Sequence, residues 1–139
     1  MTLSNLEYRH EPPSVEDYCN LRVQAGMSPR GKEAARIGLP NSLFAVTVYE
    51  GERLIGMARV VGDGGVNFLI VDVAVHPDYQ GKGIGKKMMG DIMQYIDSKA
   101  LPGSLIQLSA DPPADNLYKQ FGFEYMTDSI GMYKYIYEK

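Results

Sequence analysis

Residues 73–87 read Val73-Ala74-Val75-His76-Pro77-Asp78-Tyr79-Gln80-Gly81-Lys82-Gly83-Ile84-Gly85-Lys86-Lys87, an apolar run that passes through a glycine-rich turn. Upstream, Val66 to Val75 carries Leu69, Val71, Val73 and Val75 at one set of alternate positions and Phe68, Ile70 and Ala74 at the other. Apolar residues on both pleat faces predict a central strand covered on both sides. Its only charge is Asp72. Downstream, Ile84, Met88, Met89, Ile92, Met93 and Ile96 recur at spacings of three and four, which predicts a helix from Ile84 to Lys99 ended by Pro102-Gly103. With Leu105 to Ser109 as a short strand, residues 66–109 form a strand, helix, strand unit whose strands should be parallel with a right-handed crossover.

Outward from this unit, Leu3 to Tyr8 reads as a short strand. Ser14 to Gln24 reads as a helix capped by Ser14, with Val15, Tyr18, Cys19 and Val23 on its apolar face, and Arg30 to Ile37 as a second short helix. Ser42–Tyr49 and Leu54–Val61 form a hairpin around Glu50-Gly51-Glu52-Arg53. Beyond the central unit, Asp111-Pro112-Pro113 opens a helix running through Phe121, and Phe123 to Tyr137, with a turn at Asp128-Ser129, reads as a closing hairpin. No repeat or linker interrupts the 139 residues, so residues 1–139 are expected to form a single domain.

The composition narrows the function classes. Fourteen basic and 17 acidic side chains give a formal charge of −3, which argues against general nucleic-acid binding. The single cysteine, Cys19, excludes an internal disulfide and reads as a small buried hydrophobe. Charged residues Glu7, Arg9, His10, Glu11, Glu16 and Asp17 leave no apolar signal core near the start, and no apolar run approaches a membrane span. A cytoplasmic location, with no membrane partner, is the expectation. No His, Cys and carboxylate cluster has metal-ligand spacing, so no metal is expected.

The glycine-rich turn is the informative feature. Gly81, Gly83 and Gly85 strip the backbone of Cβ atoms next to a helix start, where the first-turn N–H groups have no internal acceptor. Lys82, Lys86 and Lys87 stand at the same end, although the helix dipole disfavours cations there. A bound polyanion explains both features; the plainer reading is a flexible turn with solvated lysines. Neither G-x-x-x-x-G-K-[ST] nor G-x-G-x-x-G fits the spacing. Q-x-x-G-x-G does, as Gln80, Gly83 and Gly85.

With that motif after Val73-Ala74-Val75-His76-Pro77, the chain resembles the GNAT family of acetyl-CoA dependent N-acetyltransferases. A second segment, Asn116-Leu117-Tyr118-Lys119-Gln120-Phe121-Gly122-Phe123, is similar to the family's stretch between its fifth and sixth strands. The resemblance runs from about Phe44 to the C-terminus. It implies one α/β domain: a mixed, mostly antiparallel twisted sheet of six or seven strands flanked by about four helices. It also implies that Gln80, Gly81, Lys82, Gly83, Ile84, Gly85 and Lys86 hold the pyrophosphate of acetyl-CoA, and that backbone N–H groups near Val73 and Val75 face the thioester oxygen.

By the same resemblance Tyr118 is the candidate acid for the departing thiolate, or a residue that packs against the coenzyme. Its reference pKa of about 10 keeps it protonated at neutral pH and so able to donate to a thiolate of pKa about 8.5. Asp72, a carboxylate inside an apolar strand, must be paired, protonated or beside a water-filled cleft. It reads either as a hydrogen-bonded structural residue or as a catalytic base. Ser109, Asp111 and Glu124 are lesser candidates, and His76 reads as a strand-end residue. The function these features imply is acetyl transfer to the primary amine of a small molecule. A non-catalytic acyl-CoA sensor and a peptide or protein N-acetyltransferase are the alternatives within the fold, and a nucleotide-phosphate module is the alternative outside it. The acceptor region is expected from Gly26 to Leu39 and from the C-terminal hairpin. Similarity to arylalkylamine-acetylating members favours an arylalkylamine as acceptor, and the steering effect of the negative charge favours a cationic one. Many relatives are dimers, so a homodimer is one option for assembly.

Overall fold

Ser14 shows how directly local chemistry sets the elements. Its backbone is extended and its Oγ accepts from the Asp17 N–H at 3.2 Å, so α1 starts at the next residue and runs Val15–Gln24. The computed structural model describes residues 5–137. The other elements are β1 (Leu6–Arg9), α2 (Lys32–Gly38), β2 (Phe44–Glu50), β3 (Arg53–Gly62), β4 (Asn67–Val75), α3 (Ile84–Lys99), β5 (Leu105–Leu108) and α4 (Asp115–Lys119). The chain divides after Leu108 into two compact units, the first holding all five strands and α1 to α3, the second holding α4.

In the first unit the sheet order is β1-β2-β3-β4-β5. The first three pairings are antiparallel, and the last is the parallel step expected of the strand, helix, strand unit. Helix α3 has the predicted limits and buries five of the six predicted stripe residues, Ile84, Met88, Met89, Ile92 and Ile96, while Met93 is half-buried. It lies close on the sheet: a Cβ at Gly56 of β3 would meet Met88 Sδ and Val48 Cγ2 at 3.3 Å. A second apolar cluster joins Tyr18 and Leu21 of α1, Ala35 and Leu39 of the α2 region, and Tyr49, Leu54, Met57 and Ala74 of the sheet.

Expectations for α1 and β4 need correction. The predicted apolar face of α1 is rotated: Tyr18, Leu21 and Arg22 are buried, while Val23 is 65% exposed. Tyr18 selects its neighbours at three and four residues, and one of them is an arginine. The strict alternation assigned to β4 also fails, because Met57 faces Ala74 while Arg59 faces Val71, leaving Asp72 and Val73 opposite Ala58 alone. This bulge holds Asp72 at φ 57°, an unusual backbone for a non-glycine residue. Nor is β4 covered on both faces, since Leu69 is 39% exposed.

The sheet has five strands among the described residues, not six or seven, because residues 123–137 enter no ladder. Alternation marks a segment able to pair but does not supply the partner, and Ile130, Met132, Tyr133, Ile136 and Tyr137 are exposed. The helix predicted through Phe121 ends at Lys119, and the start of the first predicted strand, Leu3, lies outside the described residues.

Ile92 is fully buried at the centre of the α3 stripe. Ile92→Ala should lower stability by about 2–5 kcal/mol, read as a reduced urea midpoint at unchanged slope.

Candidate active site

The end of β4 presents free backbone. The His76 N–H bonds Ile55 O at 2.7 Å, so His76 faces β3. Successive residues of a strand alternate, and the N–H and C=O of Val75 therefore face the other way. On that side β5 pairs only with Asn67 to Ile70, so the last part of β4 has no neighbouring strand there among the described residues. Gln80 Nε2 donates to Val75 O at 3.0 Å and ties the following loop back to the strand end.

A short 3-10 turn, Pro77–Tyr79, leads into the glycines. Gly81 and Gly83 have φ of 76° and 84°, and a Cβ on either would meet nothing within 4 Å. The loop surface is open as well as conformationally demanding. Gly83 caps α3 without a side-chain bond, and the Lys87 N–H is bonded to Gly83 O at 3.1 Å. The N–H groups of Ile84, Gly85 and Lys86 therefore lack intrahelical acceptors, at the positive end of a 16-residue helix. Buried Ile84 anchors this turn, while Lys82 and Lys86 are exposed with no partner among the described residues. Lys87 is spent otherwise: its Nζ reaches Asp91 at 3.0 Å and lies 5.0 Å from the Tyr8 ring. Two lysines and a run of backbone donors remain for an anion.

Asp72 lies one residue before Val73, and its carboxylate is committed. Oδ1 accepts from Arg22 Nη1 at 2.5 Å and from the Tyr18 hydroxyl at 3.1 Å, and Oδ2 accepts from Arg59 Nε at 2.8 Å. Arg22 continues to Ser28 and Arg59 to Ser42, so one carboxylate ties α1, β3 and β4 to the segments on either side of α2. Burial, and next the Asp72 charge, push the Tyr18 hydroxyl above the ordinary tyrosine range, which keeps its proton for Asp72. Sequence reasoning missed Arg22 and Arg59. Their signal was a charge at an apolar position: Arg22 four residues after Tyr18, and Arg59 within the run Leu54–Val61.

His76 is a strand-end residue. Its Nδ1 accepts from the Asp78 N–H at 3.1 Å, and its Nε2 lies 2.9 Å from Arg53 Nη2.

The second unit holds Tyr118, buried on α4 with its ring edge-on to Phe123 at 6.4 Å. The N–H groups of Phe121 and Phe123 both bond Tyr118 O, at 3.0 and 3.3 Å, so the turn through Gly122 closes around this residue. Burial, and after it the Asp111 carboxylate, raise the Tyr118 hydroxyl above the ordinary tyrosine value. Ser109, Asp111 and Glu124 are exposed.

A model of the acetyltransferase (GNAT) domain matches residues 40–125. The chain belongs to the GNAT family of acetyltransferases. A protein of meticillin-resistant Staphylococcus aureus, described as a probable acetyltransferase of unknown function, is 50% identical with a TM-score of 0.91, over 94% of this chain and 99% of its own. An uncharacterized N-acetyltransferase, ycf52, of Gracilaria tenuistipitata var. liui is 34% identical over 88% of this chain and 69% of its own. At 17% identity and a TM-score of 0.71, a predicted acetyltransferase of Clostridium acetobutylicum, solved with acetyl-CoA, shares the fold over 92% of this chain and 96% of its own. The GNAT chain described here has no group of three or more His, Cys, Asp or Glu able to hold a metal ion among the described residues, and no helix long and apolar enough to cross a membrane.

Asp72→Ala should cost about 3–5 kcal/mol in equilibrium urea unfolding, because it leaves buried guanidiniums without their carboxylate. A loss near the surface-pair value of about 1 kcal/mol or less would contradict this reading of the cluster.

Proposed function

We propose that this GNAT protein transfers an acetyl group from acetyl-CoA to the primary amine of a small molecule, by direct attack of the amine. The observation that carries the reading is the open row of N–H donors at Ile84, Gly85 and Lys86, flanked by Lys82 and Lys86. These groups fit a pyrophosphate: the donors are unpaired within the helix, the glycines leave room for close approach, and the lysines add charge. Gln80, Gly81, Lys82, Gly83, Ile84, Gly85 and Lys86 would hold the coenzyme, which supplies an activated thioester carbon when bound.

The remaining roles belong to the chain's own groups. Backbone N–H groups at Val73 and Val75 would polarise the thioester oxygen, and the strand-free edge of β4 supports this. Tyr118 would give its proton to the leaving thiolate; the family segment Asn116 to Phe123 supports that assignment, and burial, which raises the hydroxyl pKa, keeps the proton in place at neutral pH. For Asp72 the three donors on its carboxylate favour the structural reading over the base. The acceptor's ammonium proton then passes to water before attack, and the second proton, shed by the nitrogen as it becomes an amide, returns through water to the Tyr118 oxygen.

Calorimetry should show acetyl-CoA binding at one site, weakened and less salt-dependent in Lys82→Ala/Lys86→Ala. Thiol release should accompany acetylation in a panel of amines. Binding without turnover of any amine would contradict the proposal.

Tyr118→Phe should leave acetyl-CoA affinity within a few fold and lower kcat by about 10². Wild-type activity should rise with pH as the acceptor amine deprotonates, then fall above the ordinary tyrosine range as Tyr118 ionises. The phenylalanine variant should lack that fall. An unchanged kcat with a raised KM for acetyl-CoA would reduce Tyr118 to packing.

A further inference from the structure

The Arg22, Asp72 and Arg59 cluster is electrically unbalanced. Two guanidiniums share one carboxylate, so the group carries a net charge of one positive unit (two minus one), with side chains only 3%, 6% and 11% exposed for Arg22, Asp72 and Arg59. Tyr18 lies against both cations, 5.9 Å from the Arg22 guanidinium carbon and 5.8 Å from that of Arg59. Among the described residues Asp72 is the sole carboxylate within ion-pair distance of either guanidinium, at 2.5 Å from Arg22 Nη1 and 2.8 Å from Arg59 Nε. A buried surplus charge is costly unless something answers it.

The donors are not equally used. Arg22 bonds through all three nitrogens: Nε to Ser28 O at 2.8 Å, Nη1 to Asp72 and Nη2 to Ser28 Oγ at 3.2 Å. Arg59 spends Nε on Asp72 and Nη1 on Ser42 Oγ at 2.8 Å, while its Nη2 has no partner among the described residues. Arg59 stands two residues beyond buried Met57 on β3, where an apolar side chain would cost less. Its carboxylate partner immediately precedes Val73. Ser28, on the other side of the cluster, lies in the Gly26 to Leu39 segment where the acceptor is expected.

We infer that Arg59 Nη2 and the surplus charge behind it form a subsite for a carboxylate on the acceptor, so that the preferred substrate is an amine that also carries a carboxylate, as a free amino acid does. A guanidinium edge matches the planar geometry of a carboxylate, and desolvated surroundings strengthen the pair. The inference rests on the small-amine acceptor proposed above. It is consistent with the overall charge of −3, because a zwitterion presents an ammonium to the long-range field and a carboxylate to the local site.

The test uses matched acceptors with the protein and acetyl-CoA: tyramine against tyrosine and phenethylamine against phenylalanine, with rates normalised to the unprotonated amine. The carboxylated member should have a kcat/KM about tenfold higher or more, mainly through KM, the scale of a charge-assisted hydrogen bond. Arg59→Gln should abolish the preference, and Arg59→Lys should retain part of it. Should Arg59→Gln fail to fold, wild-type protein decides: phenylacetate should inhibit competitively against the acceptor amine, and absence of that inhibition overturns the subsite. Equal use of both members by the wild type, or a preference that survives in folded Arg59→Gln, also overturns it. If no amine is turned over, the acceptor proposal fails. Calorimetry on the CoA-loaded protein then judges the subsite alone: tighter binding of the carboxylated member upholds it, and equal binding overturns it.

Discussion

The Asp72 carboxylate is the contact on which the first unit's site depends. A strand without the bulge would alternate Asp72 away from Val71. The extra residue instead turns it toward Tyr18, Arg22 and Arg59, at the cost of a positive φ. Strain of this kind, on the order of 1–3 kcal/mol, persists only where the surroundings over-determine the conformation. Here three donors on two elements do so. The same bulge sits at Asp72 and Val73, within the stretch of β4 past Ile70 that has no neighbouring strand on the β5 side among the described residues. The bulge fixes α1 against the sheet, and the end of β5 opposite Ile70 leaves the following β4 backbone without a strand partner beside the glycine loop among the described residues.

The glycine loop works by the opposite principle. Where Asp72 is saturated with partners, the N–H groups of Ile84, Gly85 and Lys86 are left without intrahelical acceptors, and the cap position is a glycine that offers no side-chain oxygen. At a φ of 84° a serine there would be strained and could not cap the helix from extended backbone, so the conformation itself keeps those donors free. Buried Ile84 and the Gln80 bond to Val75 O hold the open loop in place without filling it. Stability is supplied beneath the loop, by the α3 stripe, so that its surface can remain unsatisfied.

Much of this was legible in the sequence because it depends on short-range patterns. Spacings of three and four marked α3 to its ends, and the placing of Gly81, Gly83 and Gly85 after an apolar run marked the loop. The bulge was not legible, since a one-residue insertion in pairing depends on the partner strand and leaves the run of apolar residues unchanged. Arg22 and Arg59 were missed for a related reason: each looks like a solvated charge until Asp72 is seen between them. The C-terminal hairpin failed because the alternation of Tyr133, Tyr135 and Tyr137 describes a propensity, whereas a strand is a relation between two segments.

The central claim is that the backbone of the glycine loop and of the end of β4 receives the coenzyme. Amide resonances of the isotopically labelled protein titrated with acetyl-CoA test it most directly. The largest shifts should fall on Gly81 to Lys86 and on Val73 and Val75, with those of α2 and β1 nearly unmoved. Large shifts confined to other elements, or none at saturating acetyl-CoA, would contradict the claim.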